Sequence, residues 1–121
     1  MPNPVADFTP HDVDLLLKKN SYQAVPFTFE ATDFTGFTNA EFRWIEREDT
    51  SDTPASGASL NTVAMTITPA TDSIVEVVFD AAAWTTVGTI DHGLYEVTIQ
   101  DGSGNLVYLA EGQVDFEDSL S

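Results

Sequence analysis

The chain has 121 residues, of which 42% are hydrophobic and 11% aromatic, the composition of one globular domain with its own core. It has no cysteine, which excludes disulfide bonds and thiolate metal sites. Four basic and twenty acidic residues give a formal net charge of −16, which disfavours nucleic acids and anionic membranes as partners. The first residues lack the basic and apolar regions of a signal peptide, and no apolar run is long enough to span a membrane.

Segments with strand periodicity follow one another along nearly the whole chain. An N-terminal arm, 1–12, has prolines but no periodicity, and a tail, 118–121, ends the chain. The predicted strands between them are 13–17, 23–31, 40–48, 60–69, 73–80, 94–100 and 105–117, and 81–87 is the one predicted helix. The sequence therefore predicts an all-β fold: a single immunoglobulin-like β-sandwich at 13–117, of about seven or eight strands, with one short helical crossover.

Alternation also assigns side chains to faces of the predicted sheets. Pro26 has no N–H to donate, so its strand is expected at an edge or at a bulge. Arg47 alternates with the inward-facing residues Phe42 and Trp44 of its strand, so its side chain is expected to point to solvent. One set of residues in the last strand shares a single parity and is expected on one face: Leu106, Tyr108, Val114 and Phe116.

The stretch D-H-G-L-Y-E-V, 91–97, matches the D-x-G-x-Y-x-C pattern of a tyrosine corner, with Val97 in place of the cysteine. Asp91, Gly93 and Tyr95 are therefore expected to form the corner, with the Tyr95 hydroxyl bonded to a corner carbonyl. Trp44 is expected to be the core tryptophan of such a sandwich. Aromatic packing would replace the missing disulfide.

The loop D-G-S-G-N presents oxygen-bearing side chains at Asp101, Ser103 and Asn105, the spacing that begins a calcium-binding EF-hand loop. Its later positions differ, because Leu106 stands where the loop needs glycine and Gly112 where it needs glutamate. A hairpin turn between two alternating strands explains the glycines better. The turn is the favoured interpretation, and a calcium site is the alternative.

Catalysis is not expected from these residues. Glu96, Asp115 and Glu117 lie on the outward parity of a hairpin, where carboxylates are solvated and keep a protein soluble. Asp91 and His92 are adjacent, but the aspartate belongs to the corner pattern. With only two histidines and no phosphate-binding or nucleophile motif, the sequence predicts no enzyme, no cofactor and no metal centre.

Four aromatic residues are not explained by strand alternation. They are Phe8 in the arm, Phe34 and Phe37 in the loop T-D-F-T-G-F-T-N, and Trp84 in the crossover. They are candidates for anchoring a subunit interface or a ligand, and the alternative is that they plug the open ends of the sandwich. The arm and the 49–59 loop are further interface candidates, since an arm can add a strand to a neighbouring subunit.

The order of these signals resembles the immunoglobulin-like N-terminal attachment domain of tailed-phage baseplate upper proteins and related tail-fibre anchoring domains. The matching pieces are the strand D-L-L-L-K-K, the D-F-T-G loop, and G-L-Y-E-V-T-I followed by D-G-S-G-N and E-G-Q-V-D-F, within residues 12–117. The resemblance implies a domain that docks to a virion and oligomerises, with no catalytic residues.

The sequence thus predicts a non-enzymatic virion structural protein of a tailed phage or prophage, acting by self-association and by docking to other virion proteins. It would be a tail, baseplate or fibre-attachment adaptor, or a capsid decoration protein, made in the host cytoplasm. The alternative is a carbohydrate- or calcium-binding adhesion module that uses Trp84 or Asp101. The two differ in whether calcium changes stability and whether the mass is a multiple of 13.1 kDa.

Overall fold

The computed structural model describes residues 11–29, 32–48, 52–68 and 73–118. These residues form eight strands and one helix: β1 (His11–Asp12), β2 (Leu15–Lys18), β3 (Gln23–Phe29), β4 (Thr38–Glu46), β5 (Asn61–Thr68), β6 (Ser73–Phe79), α1 (Ala81–Val87), β7 (His92–Gln100) and β8 (Leu106–Glu117). The sequence placed residues 11 and 12 in the arm, but here they already pair with β8.

The strands form two sheets that share β5. Sheet A has the order β1/β2, β8, β7, β4 and the first half of β5, and sheet B has the second half of β5, β6 and β3. β1 and β2 run parallel to β8, and the other pairings are antiparallel. The chain is an immunoglobulin-like β-sandwich, as the sequence predicts.

Aromatic rings fill the space between the sheets. Phe42 stacks on Tyr95 with ring centroids 4.9 Å apart, and Trp44 meets Phe116 edge-on at 5.2 Å. Phe79 of sheet B reaches across to Phe42 at 5.5 Å. Each such side chain contributes about 1.5–3 kcal/mol on burial, so this cluster stabilises a sandwich that has no disulfide. Trp44 is the buried core residue that the sequence predicts.

The last strand does not keep one parity. Val97 pairs with Ala110 but Thr98 pairs with Tyr108, so one extra residue, Leu109, is inserted in β8. Such a bulge moves every following side chain to the other face. The prediction of one shared face for this strand is therefore wrong: Leu106 and Tyr108 are 42% and 43% exposed, whereas Val114 and Phe116 are buried.

The chain between β1 and β2 fits against a glycine of β8. A Cβ on Gly112 would collide with the carbonyl oxygen of Val13 and lie 2.9 Å from its carbonyl carbon. The same Val13 oxygen accepts a hydrogen bond from the Tyr95 hydroxyl at 2.5 Å. This corrects the tyrosine-corner prediction, because the hydroxyl bonds the N-terminal segment and not a carbonyl of the corner.

The short helix covers one end of the sandwich. Asp80 caps it by accepting a hydrogen bond from the Ala83 N–H at 3.1 Å. Trp84 packs on Phe79 and donates its indole N–H to the Ser21 carbonyl at 2.6 Å. The helix therefore connects β6 to β7 and closes the core beside the β2–β3 turn.

Candidate interaction surfaces

Two of the aromatic interface candidates are core residues of this chain. Phe34 is fully buried against Phe29 and Phe37, and Trp84, on the inner side of α1, is 6% exposed. This corrects the expectation that they anchor an interface or a ligand, since buried rings offer a partner no surface. Their positions fit the alternative, plugging the ends of the sandwich. Phe37 is half-buried beside Phe34, and Phe8 lies outside the described residues.

The remaining corner residues have structural partners. Asp91 accepts a hydrogen bond from the Lys19 ammonium at 2.8 Å, and this bond lowers the pKa of the Asp91 carboxyl. Lys19 itself is buried, and Asp118 lies 3.5 Å from it. Gly93 packs closely, since a Cβ there would lie 3.1 Å from the Ile45 carbonyl oxygen. These residues hold β7 against its neighbours.

His92 lies in an ion-pair group on sheet A. One oxygen of Asp115 contacts His92 Nδ1 at 3.0 Å and Arg47 Nη2 at 3.0 Å. Burial opposes ionisation of Asp115, but the hydrogen bonds from His92 and Arg47 outweigh it and lower the pKa of Asp115. Arg47 is buried, although its parity predicts solvent exposure. Its position is explained by the bridge to Pro54, which folds the following loop back on β4.

The D-G-S-G-N loop is organised as a turn. The Asp101 carboxylate accepts hydrogen bonds from the Ser103 N–H at 2.8 Å and the Asn105 N–H at 2.9 Å. These bonds lower the pKa of Asp101, the one from Asn105 most of all. The geometry supports the turn interpretation. Across the described ranges, no three carboxylate or histidine side chains are arranged to hold a metal ion, and no helix there is long and apolar enough to cross a membrane.

Sheet B presents an outer surface with very little charge. Three pairing rows cross it: Ala24 with Val78, Pro26 with Glu76 and Thr66, and Thr28 with Ile74 and Thr68. We call these eight residues the sheet B face. All of them are exposed or half-exposed, and only Glu76 is charged at neutral pH. Tyr22 comes just before β3, two residues before Ala24, and its side chain is 74% exposed.

Sheet A presents a groove on its outer side. One end, which we call the apolar end, is a cavity of about 190 Å³ lined by the aliphatic side chains of Ile45, Leu60 and Leu94, with Arg43 and Glu96 at its border. It shares Leu94, Tyr95 and Glu96 with a larger cavity of about 520 Å³. The larger cavity is lined by five carboxylates: Asp12, Asp14, Asp52, Glu96 and Glu111. We call these two adjoining cavities together the sheet A groove.

The acidic end of the sheet A groove has a negative potential that acts on Tyr95. Burial is the main cause that raises the pKa of the Tyr95 phenol far above its ordinary value, and Asp14, Asp12 and Glu111 raise it further. Asp14 accepts a hydrogen bond from the Gln113 N–H at 3.0 Å, and Asp52 accepts one from the Gln113 side chain. These bonds fix the carboxylates in place without neutralising them.

Sequence reasoning could have found one of these surfaces. The low charge of the sheet B face is visible in the alternation of its three strands, but only once they are known to be neighbours. The sheet A groove has no local signal, because Asp52, Glu96 and Glu111 meet through the register of separate strands and a loop.

Comparison with known proteins gives only distant similarity. No protein-family model matches the sequence, and no curated protein matches it. One similar structure is that of homodimers of the extracellular domains of the voltage-gated sodium channel beta4 subunit, 15% identical over 97% of this chain and all of the other, with a TM-score of 0.38. Another, of voltage-gated sodium channel beta subunits, is 12% identical over 98% of this chain and all of the other, with a TM-score of 0.42. These values assign no function to this chain.

Proposed function

We propose that this chain is a non-enzymatic structural module that works by self-association and docking. The observation that carries the proposal is the sheet B face, which has a single charged residue, Glu76, in a chain of net charge −16. Two copies of so acidic a protein repel each other over most of their surfaces. They can come into contact where the surface carries few charges, and the sheet B face is such a place.

The composition of the sheet B face also suits contact between copies. Ile74, Val78, Ala24 and Pro26 supply apolar surface, and the threonines add methyl groups and short hydroxyls. No long charged side chain other than Glu76 must be desolvated when the face is covered. Two sheets that pack face to face lie about 10 Å apart.

The size of the sheet B face indicates a weak contact. Strands β3 and β6 contribute seven residues each and β5 contributes four. At about 3.3 Å per residue and about 4.8 Å between strands, they give a surface of about 290 Å². A standard stable interface covers about 800 Å² on each partner. A single contact of this size supports an assembly in which each copy is also held elsewhere, as in a particle built from many copies.

Pairing through the edge of β3 is a less suitable mode of self-association. Pro26 lies in the middle of this strand and has no N–H to donate to a new neighbour. Prolines at this position are one of the devices by which proteins prevent edge-to-edge pairing. We therefore place self-association on the face of sheet B and not on its edge.

The setting that we propose is a virion of a tailed phage or prophage, with other virion proteins as the docking partners. The support for this setting is the resemblance of residues 12–117 to baseplate attachment domains. The structure does not favour the carbohydrate- or calcium-binding alternative, because Trp84 is buried and the Asp101 carboxylate is engaged by its own turn.

Light scattering with two matched variants tests self-association. We expect the mass of the wild-type chain to rise above 13.1 kDa as protein concentration increases. Thr66→Asp adds a charge at the middle row of the sheet B face and should weaken association about tenfold or more. Thr38→Asp adds the same charge at an exposed threonine of β4 in sheet A and should leave association unchanged. A monomer at all concentrations, or equal effects of the two variants, would overturn the proposal.

A further inference from the structure

We propose that the sheet A groove binds a cationic segment of another protein that carries an apolar anchor beside its basic residue. This inference concerns a different surface from the sheet B face, so it goes beyond self-association and identifies the chemistry of a docking partner. The two chemically different ends of the sheet A groove and the charges available in this chain favour such a partner.

The apolar end is an open pocket that can hold one aliphatic side chain. Ile45 of β4 and Leu94 of β7 are cross-strand partners, and both are half-buried. Leu60, 51% exposed, forms the third wall. The floor is made by Trp44 and Tyr95, which belong to the core. A side chain bound in this pocket would remove an exposed leucine and two half-exposed aliphatic side chains from contact with water.

The acidic end follows directly along β7. Leu94 and Glu96 point to the same side of the strand, about 6.6 Å apart. Glu111 is the register partner of Glu96 on β8, and Asp12 and Asp14 approach from the N-terminal segment. Glu96 lines both ends and pairs with Arg43, which lines the apolar end, at 3.5 Å. Among the described residues, no basic side chain lines the larger cavity, so Arg43 is the one basic side chain at the border of the acidic end. An extended segment along β7 would therefore place its anchor and a basic residue two positions apart.

A second copy of this chain does not fit the sheet A groove as well as a cationic partner does. Each of its four basic side chains is already paired with a carboxylate of its own chain: Lys18 with Glu117, Lys19 with Asp91, Arg43 with Glu96 and Arg47 with Asp115. Lys19 and Arg47 are also buried. The complementary charge must therefore come from another protein.

Fluorescence anisotropy with labelled synthetic peptides tests the inference. The probe is a peptide of Leu-Ser-Lys-Ser repeats, which places leucine and lysine two positions apart, at low salt. The comparison peptides are Ser-Ser-Lys-Ser repeats, which lack the anchor, and Leu-Ser-Glu-Ser repeats, which lack the positive charge. We expect the first to bind at least about fivefold more tightly than the second, from partial burial of one leucine, and the third not to bind.

Matched variants locate the binding. Leu60→Ser should weaken binding of the Leu-Ser-Lys-Ser peptide about three- to tenfold, whereas Leu106→Ser, at a similarly exposed leucine far from the sheet A groove, should not. Glu111→Gln should weaken binding more than Glu117→Gln, which removes the same charge from the same strand outside the groove.

Equal binding of the Leu-Ser-Lys-Ser and Ser-Ser-Lys-Ser peptides, or equal effects within either variant pair, would mean general attraction to an acidic protein and would overturn the inference. Absence of binding would also overturn it, while self-association through sheet B would be unaffected.

Discussion

Gly112 allows the N-terminal segment to pack directly against the backbone of β8, because glycine has no Cβ atom. The two nearest atoms that a Cβ would meet there belong to the backbone of Val13, which cannot rotate away as a flexible side chain can, and the third is Oδ1 of Asp14 at 3.2 Å. Val13 is held in turn by its own N–H, which bonds the Glu111 carbonyl at 3.0 Å, and by the Tyr95 hydroxyl. A methyl group at residue 112 must therefore displace the whole connection between β1 and β2.

We expect Gly112→Ala to lower the free energy of unfolding by about 1–3 kcal/mol, the usual cost of overpacking a closely fitted site. Urea denaturation measures this difference. Gly102→Ala is the control, because a Cβ at Gly102 meets nothing within 4 Å. Equal stability of the two variants would show that the N-terminal segment moves away without cost.

At the scale of elements, one ion pair joins the turn after β2 to the start of β7. The bond between Lys19 and Asp91 lowers the pKa of the aspartate below its ordinary 3.8, and it is the main cause that raises the pKa of the lysine above its ordinary 10.5. A lowered carboxyl pKa stabilises the fold above 3.8 and ceases to do so as the pH falls through the folded value. A raised lysine pKa stabilises it below 10.5 and ceases to do so as the pH rises through the folded value.

The contribution of this pair is therefore complete between pH 3.8 and 10.5. We expect Asp91→Asn to be less stable than the wild-type chain at neutral pH, with the difference shrinking as the pH falls below 3.8. Urea denaturation at several pH values measures it. Asp118→Asn, which changes the more distant partner of Lys19 at 3.5 Å, should have a smaller effect. A difference that persists in strong acid would assign the effect of Asp91→Asn to something other than charge.

The elements themselves could be predicted from the sequence where alternation is strict. Phe42, Trp44, Val97 and Ile99 are buried as their parity predicts. The position of the bulge at Leu109 could not be predicted, because L-V-Y-L-A, 106–110, contains no glycine or proline, and the extra residue is defined only by the pairing with β7.

The candidate site could be predicted less well than the fold. An aromatic residue in a loop has no parity, so Phe34 fits a plug and an interface equally well from sequence alone. Its burial is decided by Phe29 and Phe37, which surround it. The hydroxyl of Tyr95 likewise bonds Val13, a residue 82 positions earlier, through a contact that no local pattern specifies.

At the scale of the whole molecule, the charge of −16 gives the two surfaces opposite responses to salt. Contact through the sheet B face brings two acidic copies together and gains little from ion pairs, since Glu76 is the only charge on that face. Screening weakens the general repulsion, with a Debye length of about 10 Å at 0.1 M salt and about 3 Å at 1 M. Binding of a cationic segment in the sheet A groove depends on electrostatic attraction to its carboxylates, which the same screening weakens.

We therefore expect added salt to strengthen self-association and to weaken binding of the Leu-Ser-Lys-Ser peptide in the same protein sample. Light scattering measures the first and fluorescence anisotropy the second across one salt series. Thr66→Asp should remove the first response and keep the second, and Glu111→Gln should reduce the second and keep the first. If salt changed both in the same direction, a single charged surface would be responsible for both, and the assignment of self-association to sheet B and of docking to sheet A would be wrong.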